Sequence, residues 1–131
     1  MANNSALILI GRILLSFMFI LAGYGKLTAI GGTAGYFGSL GFPAPTIVAV
    51  LVGLLELLGG LAVLVGFQTR IAALALGIFT LAATAAAHLN WTGDAGMVQW
   101  MFFQKNLGVA GGFFVLAACG AGALSLDAKR G

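Results

Sequence analysis

The sequence predicts an all-α integral membrane protein, a bundle of four transmembrane helices in a single domain. Three observations support this fold class. Hydrophobic residues make up 61% of the chain, charged residues only 7%, and the mean hydropathy is +1.11. Soluble domains carry about 25% charged residues, so this chain has too few charged residues to form the surface of a soluble domain. Four apolar stretches also approach or exceed the roughly 20 residues that cross a bilayer core of about 30 Å. They cover residues 6–27, 44–66, 71–89 and 101–123 of the 131.

The first predicted span is interrupted near its start by Arg12 and closed by Lys26. The following segment, 31–42, is too short to span and mixes aromatic residues with glycines. Such a piece suits the membrane surface, where an amphipathic helix can lie flat, or a protein-covered loop that re-enters the bilayer. We therefore predict a short interfacial helix or a re-entrant segment here.

The second and third predicted spans are joined by a tight connection. Pro43 and Pro45 precede the second span, and proline suits a first helical turn because the N–H that it lacks would be unpaired there. This span carries Glu56 about twelve residues from its start, which is near the bilayer centre at about 1.5 Å per residue. The third span is rich in alanine and threonine and ends at His88 and Leu89.

The fourth predicted span follows the most polar interior loop, 90–96, which is flanked by tryptophans of the kind that mark membrane–water boundaries. Lys105 and Asn106 lie near its start. Gly108 and Gly112 form a GxxxG pair, whose small side chains let helices approach closely in lipid. The pair favours tight packing and is compatible with a homo-oligomer, but it identifies no interface.

The distribution of basic residues predicts orientation and argues against one class of partner. Arg70, Lys129 and Arg130 share one side of a four-span protein, with Arg12 near it, whereas Lys26 and Lys105 lie on the other. This bias predicts that both termini are cytoplasmic. The six basic residues form no run, so nucleic-acid binding is not supported.

Glu56 is the most informative residue. A bare carboxylate near the bilayer centre costs several kcal/mol or more, roughly, so it must be protonated, paired or open to a wet cavity. Arg12 is predicted to meet it from the cytoplasmic side and Lys105 from the opposite side. A purely structural ion pair is the competing interpretation.

Topology gathers Lys26, His88, Lys105 and Asn106 at one level of the bundle, with Tyr24 as a further lining residue. One acid surrounded by hydrogen-bond donors suits a quinone head group or a small oxyanion, and an imidazole can exchange protons near neutral pH. Lys26 can equally be a snorkelling anchor and His88 a packing residue. No catalytic residue is assigned, and one histidine with one cysteine predicts no metal site.

The chain resembles the DoxX family of small bacterial four-helix membrane proteins over nearly its whole length. The motifs that carry the resemblance are, in chain order, Gly11-Arg12, Gly23-Tyr24-Gly25-Lys26, Phe42-Pro43, Glu56-Leu57-Leu58-Gly59-Gly60-Leu61, Gly66-Phe67-Gln68-Thr69-Arg70, His88, Lys105-Asn106-Leu107, Gly111-Gly112 and Ser125-Leu126-Asp127.

This resemblance implies an inner-membrane bundle linked to redox processes. The family takes its name from a subunit of a thiosulfate:quinone oxidoreductase, and other members are associated with oxidative-stress or quinone-detoxification responses. Because this chain has no cysteine pair, the redox centre is expected on a partner, a membrane or peripheral oxidoreductase. The alternative is a non-catalytic structural or assembly subunit of a larger membrane complex.

Overall fold

The computed structural model describes residues 2–130, and every regular element within them is a helix. The helices are, in chain order, α1 Ala2–Thr28, α2 Ile30–Ser39, α3 Pro45–Val65, α4 Thr69–Ala87, α5 Gly96–Cys119 and α6 Leu126–Arg130. Four of them, α1, α3, α4 and α5, are long and apolar enough to cross a membrane. The predicted all-α, four-span fold is therefore confirmed, while the orientation of the termini stays a prediction.

The helix bounds differ from the predicted spans mainly at α5. This helix begins at Gly96 and ends at Cys119, whereas hydropathy predicts 101–123. It begins early because residues 96–100, which hydropathy left outside the fourth span, already form its first turn. It ends early because Gly120 and Gly122 have φ values of 83° and 80°, which glycine adopts freely and other residues rarely do. The ten-residue helix α2, Ile30–Ser39, accounts for most of the predicted segment 31–42 and ends before Gly41, whose φ is 89°.

The long helices pack as two pairs, α1 with α3 and α4 with α5. The first pair is unusually close. A β-carbon on Gly23 of α1 would lie 2.7 Å from the carbonyl oxygen of Gly53 on α3 and would also collide with the backbone of Leu57. Small residues that let backbones touch supply the packing that holds helices together in lipid. This contact fixes α1 against α3 beside Lys26.

The two pairs meet around a buried apolar cluster at mid-height. Phe19, Val63, Leu76 and Phe113 are each at most 4% exposed, and the rings of Phe19 and Phe113 pack edge to face at 5.3 Å. Edge-to-face geometry is a favoured arrangement of aromatic pairs. The cluster therefore joins α1, α3, α4 and α5 at this level and forms the floor of the space above it.

Arg12 ties one end of the bundle together. Its guanidinium, 1% exposed as a residue, donates hydrogen bonds to the backbone carbonyls of Ala121 at 2.9 Å, Leu124 at 2.9 Å and Leu64 at 3.3 Å. Leu64 lies in the last turn of α3, where carbonyls have no partner within the helix. Arg12 thus satisfies carbonyls at the end of α3 and in the irregular chain after α5.

Asp127 reinforces the same end by capping α4. Its two carboxylate oxygens accept hydrogen bonds from the backbone N–H groups of Gln68 at 2.7 Å and Thr69 at 2.8 Å, and its own N–H donates to Gly66 O at 2.8 Å. A carboxylate at a helix N-terminus satisfies unpaired donors and interacts favourably with the helix dipole. The C-terminal segment is thereby fastened to the α3–α4 turn.

Replacing Asp127 with alanine is expected to lower the free energy of unfolding by about 1 kcal/mol, the usual cost of losing an N-cap. Thermal unfolding in mild detergent, followed by circular dichroism, measures the change. Lys129→Ala, on an exposed residue of the same short helix, is the control. Equal stability of the two variants would contradict the capping role.

Candidate functional site

A cavity of about 420 Å³ lies between the two helix pairs, above the apolar cluster. We refer to it as the central cavity. Its walls are mostly apolar, and six aromatic side chains contribute to them: Phe19, Tyr36, Phe37, Phe42, Phe79 and Phe102. Ligand sites in proteins commonly enclose about 300–1,000 Å³ and combine apolar walls with a few polar groups. The central cavity has both properties.

Glu56 and Lys26 form an ion pair at the cavity wall. Lys26 Nζ lies 2.8 Å from Glu56 Oε1, and the two side chains are 27% and 8% exposed. The pairing follows from the close packing of α1 on α3, because Gly53, one turn before Glu56, lies against the stem of Lys26. A paired carboxylate is tolerated at this depth where a bare one would not be. Lys26 is therefore the partner that supports Glu56.

Lys105 and Asn106 contribute unpaired polar groups from α5. Lys105 Nζ has only soft contacts, with Met18 Sδ at 3.5 Å and with the face of Phe102 at 5.0 Å from its centroid. Asn106 is 9% exposed and lines the cavity. Its side-chain amide forms no hydrogen bond with the described part of the chain. Because this amide lines the cavity and has no partner in the described part of the chain, it is a candidate contact for a ligand.

His88 lines the far end of the cavity, just beyond the last residue of α4. Its Nδ1 forms a hydrogen bond with Gln99 Oε1, and its ring lies 5.1 Å from that of Phe102. Its backbone carbonyl accepts a hydrogen bond from Trp91 Nε1 at 2.9 Å. These contacts hold the imidazole at the cavity edge.

Three sequence-based predictions are corrected. Arg12 does not meet Glu56, because its guanidinium is bound to three backbone carbonyls at the other end of the bundle. Lys105 is not the ion-pair partner of Glu56 either; that position is taken by Lys26. Tyr24 lies outside the cavity and is 63% exposed, because it occupies the outward face of α1. The remaining predicted residues do line one space: Lys26, Glu56, His88, Lys105 and Asn106.

Sequence reasoning missed the walls of the site. Thr80 lines the cavity and is 4% exposed, and its hydroxyl donates to Leu76 O at 2.7 Å. A threonine in the middle of an apolar helix was an available signal for this position. Nothing in the sequence shows that Phe37 and Phe42, from α2 and the turn after it, cover the cavity. Their rings pack on each other at 5.7 Å.

No group of three His, Cys, Asp or Glu side chains is close enough to hold a metal ion within residues 2–130. Cys119 is a free, exposed thiol at the end of α5. The arrangement in the central cavity instead suits binding through hydrogen bonds and ring contacts. An ammonium group, an amide and a paired carboxylate can together receive a ligand that carries oxygen atoms.

Comparisons with known proteins give the chain a family. The model of the DoxX family matches residues 7–89. The chain is 44% identical to the inner membrane protein YqjF of Escherichia coli K12 over 120 residues, which are 92% of this chain and 88% of that protein. It is 36% identical to the inner membrane protein YphA of the same organism over 130 residues, or 98% and 93% of the two chains. No solved structure matches it. With its four membrane-spanning helices, the chain is a multi-pass inner membrane protein that belongs to the DoxX family.

Proposed function

We propose that this protein binds a quinone head group or a small oxyanion in the central cavity, as part of a quinone-linked or oxidative-stress-related redox system. One observation carries the proposal. Lys105 and Asn106, consecutive on α5, both line the cavity, and neither has a strong partner among the described residues. A ligand with oxygen acceptors would satisfy both groups at once.

The walls of the cavity favour a quinone ring over an oxyanion. A flat ring can stack on aromatic side chains such as Phe102 and Phe37, and aromatic contacts add to the free energy of burial. The charges in the cavity are compatible with either ligand, because Lys26 is neutralised by Glu56 while Lys105 is not. An oxyanion would use the charge of Lys105 but would leave the aromatic walls unused.

The redox role rests on the family resemblance, and we propose that a partner carries the electrons. Cys119 is a single thiol, so the chain has no internal dithiol to oxidise. The proposed partner is a membrane or peripheral oxidoreductase that exchanges electrons with the bound quinone. In that arrangement the protein binds and orients the ring, and Lys105 and Asn106 hold its oxygen atoms.

Replacing Asn106 or Lys105 with alanine is expected to weaken quinone binding by about tenfold each, which corresponds to about 1.4 kcal/mol for one lost hydrogen bond. Isothermal titration of the protein in lipid nanodiscs with a short-chain benzoquinone measures the change. A parallel titration with sulfate tests the oxyanion. Gln104→Ala is the matched control, because Gln104 is exposed on the same helix and lies outside the cavity.

The outcomes separate the two proposed ligands and the alternative function. Loss of quinone affinity in both variants, with the Gln104 control unchanged, supports the quinone site. The same pattern with sulfate alone supports the oxyanion. If the native protein binds neither probe and co-purifies in mild detergent with a large membrane enzyme, the protein is a structural subunit and the binding proposal is wrong.

A further inference from the structure

The polar and apolar parts of the central cavity are on different sides. The ammonium group of Lys105 and the amide of Asn106 enter from α5, and the Lys26–Glu56 pair lies on α1 and α3. Most of the lining from α3 and α4 is apolar, namely Val48, Val52, Phe79, Ala82, Ala83 and Ala86. The polar lining residues on these helices are Glu56, which is paired with Lys26, and Thr80, whose hydroxyl donates to Leu76 O; His88 follows at the end of α4. A compact polar ligand would contact only the first side.

Two residues on the apolar side of the cavity are accessible from outside the packed core. Ala82 and Ala86 line the cavity and are also exposed. They lie one turn apart on the same face of α4 and present only methyl groups there. Nearer the other end, α3 and α4 close on each other, since a β-carbon on Gly59 would lie 3.1 Å from the Leu76 side chain. The seam is therefore closed at the end away from the cavity.

We infer that the ligand carries an apolar tail, which leaves the cavity between α3 and α4 and lies in the lipid. This inference rests on the proposed function and narrows it to a membrane-soluble compound with an oxygen-bearing ring at one end. An apolar tail matches a seam lined mostly by valine, alanine and phenylalanine side chains, whereas a charged inorganic ion would lose its hydration there. The ring is then held at Lys105 and Asn106, and the ligand enters sideways from the bilayer.

A second seam, between α1 and α5, is the competing route. Lys105 Nζ bridges it by contacting Met18 Sδ, and Phe102 and Lys105 are both exposed on this side. Because a cation lies at this opening, it suits a ligand that arrives from water. A ligand without a tail would use this route and would be insensitive to changes between α3 and α4.

The test compares two benzoquinones in nanodiscs, one with a decyl tail and one with a methyl group in its place. Each affinity is expressed relative to the probe concentration in the lipid, so that simple partitioning is removed. Ala82→Phe and Ala86→Phe fill the seam from two positions. Ala85→Phe is the control, because Ala85 is exposed on the same helix and does not line the cavity.

We expect the native protein and the Ala85 control to bind the tailed probe equally. Both seam variants should bind it at least about tenfold more weakly, while their affinity for the methyl probe stays within about twofold, which also shows that they are folded. Equal binding of the tailed probe by seam variants and control, or an equal loss for both probes, would overturn the inference. If the native protein binds neither probe, both the proposed function and the inference of an apolar tail are wrong.

Discussion

Replacing Arg12 with leucine is expected to lower the free energy of unfolding by about 3 kcal/mol or more. The guanidinium satisfies three backbone carbonyls, those of Leu64, Ala121 and Leu124, and is 1% exposed. Each buried polar group left without a partner costs about 1–3 kcal/mol, and leucine can satisfy none of them. Unfolding of the purified protein by heat or by added SDS, followed by circular dichroism, measures the loss.

Arg70→Leu is the matched control for Arg12. Arg70 also donates a hydrogen bond to a backbone carbonyl, that of Ala118 at 3.1 Å, but its side chain is exposed. Water or lipid head groups can replace such a bond, so the expected loss is below about 1 kcal/mol. If the two leucine variants were equally stable, the role assigned to Arg12 would have to be abandoned. Arg12→Lys should be intermediate, because a single ammonium cannot reproduce the planar, forked geometry of the guanidinium.

Replacing Gly23 with alanine should have the second large effect. The added methyl group would lie 2.7 Å from Gly53 O and would meet the backbone of Leu57. Backbone atoms of a packed helix cannot swing aside as a side chain can, so α1 and α3 must separate. Overpacking of this kind costs about 1–3 kcal/mol and sometimes more. Thermal unfolding in detergent measures the effect.

Gly25→Ala provides the matched control for Gly23. Gly25 lies two residues further along α1, and nothing lies within 4 Å of a β-carbon built there. Alanine has a higher helix propensity than glycine by about 1 kcal/mol, so this variant should be as stable as the native protein or more so. A loss at Gly25 as large as that at Gly23 would show that helix contact is not the cause. The Gly23 variant should also weaken quinone binding, since Lys26 and Glu56 are brought together by the same contact.

The composition of the candidate site was largely predictable, because helix ends that share one side of the membrane must lie at similar depth. This reasoning grouped Lys26, His88, Lys105 and Asn106 with Glu56, and the structure places all five around one cavity. The choice of partner for Glu56 was not predictable. Arg12, Lys26 and Lys105 lie on two different helices, and neither hydropathy nor spacing says which helix adjoins α3 or how it is rotated.

The error at Arg12 has a specific physical origin. Its natural partners are backbone carbonyls at the end of α3 and in the irregular chain after α5. That irregular chain, up to residue 123, was predicted to belong to the fourth span, because residues 101–123 are apolar enough to cross the membrane. Once α5 ends at Cys119, free carbonyls appear at this end of the bundle, and a buried cation close to them is the group that satisfies them.

Hydropathy and length alone determined that this chain is a bundle of four membrane-spanning helices. In lipid each spanning segment must satisfy its own backbone hydrogen bonds, so it can be recognised from its own stretch of sequence. Only the tertiary structure decided that Lys26 pairs with Glu56, that Arg12 fastens the opposite end, and that aromatic side chains from α2 cover the cavity. These features depend on which helix faces touch. Glycines that allow helix backbones to touch determine those faces. The residues in these contacts are distant in sequence, and they carry no hydropathy signal of their own.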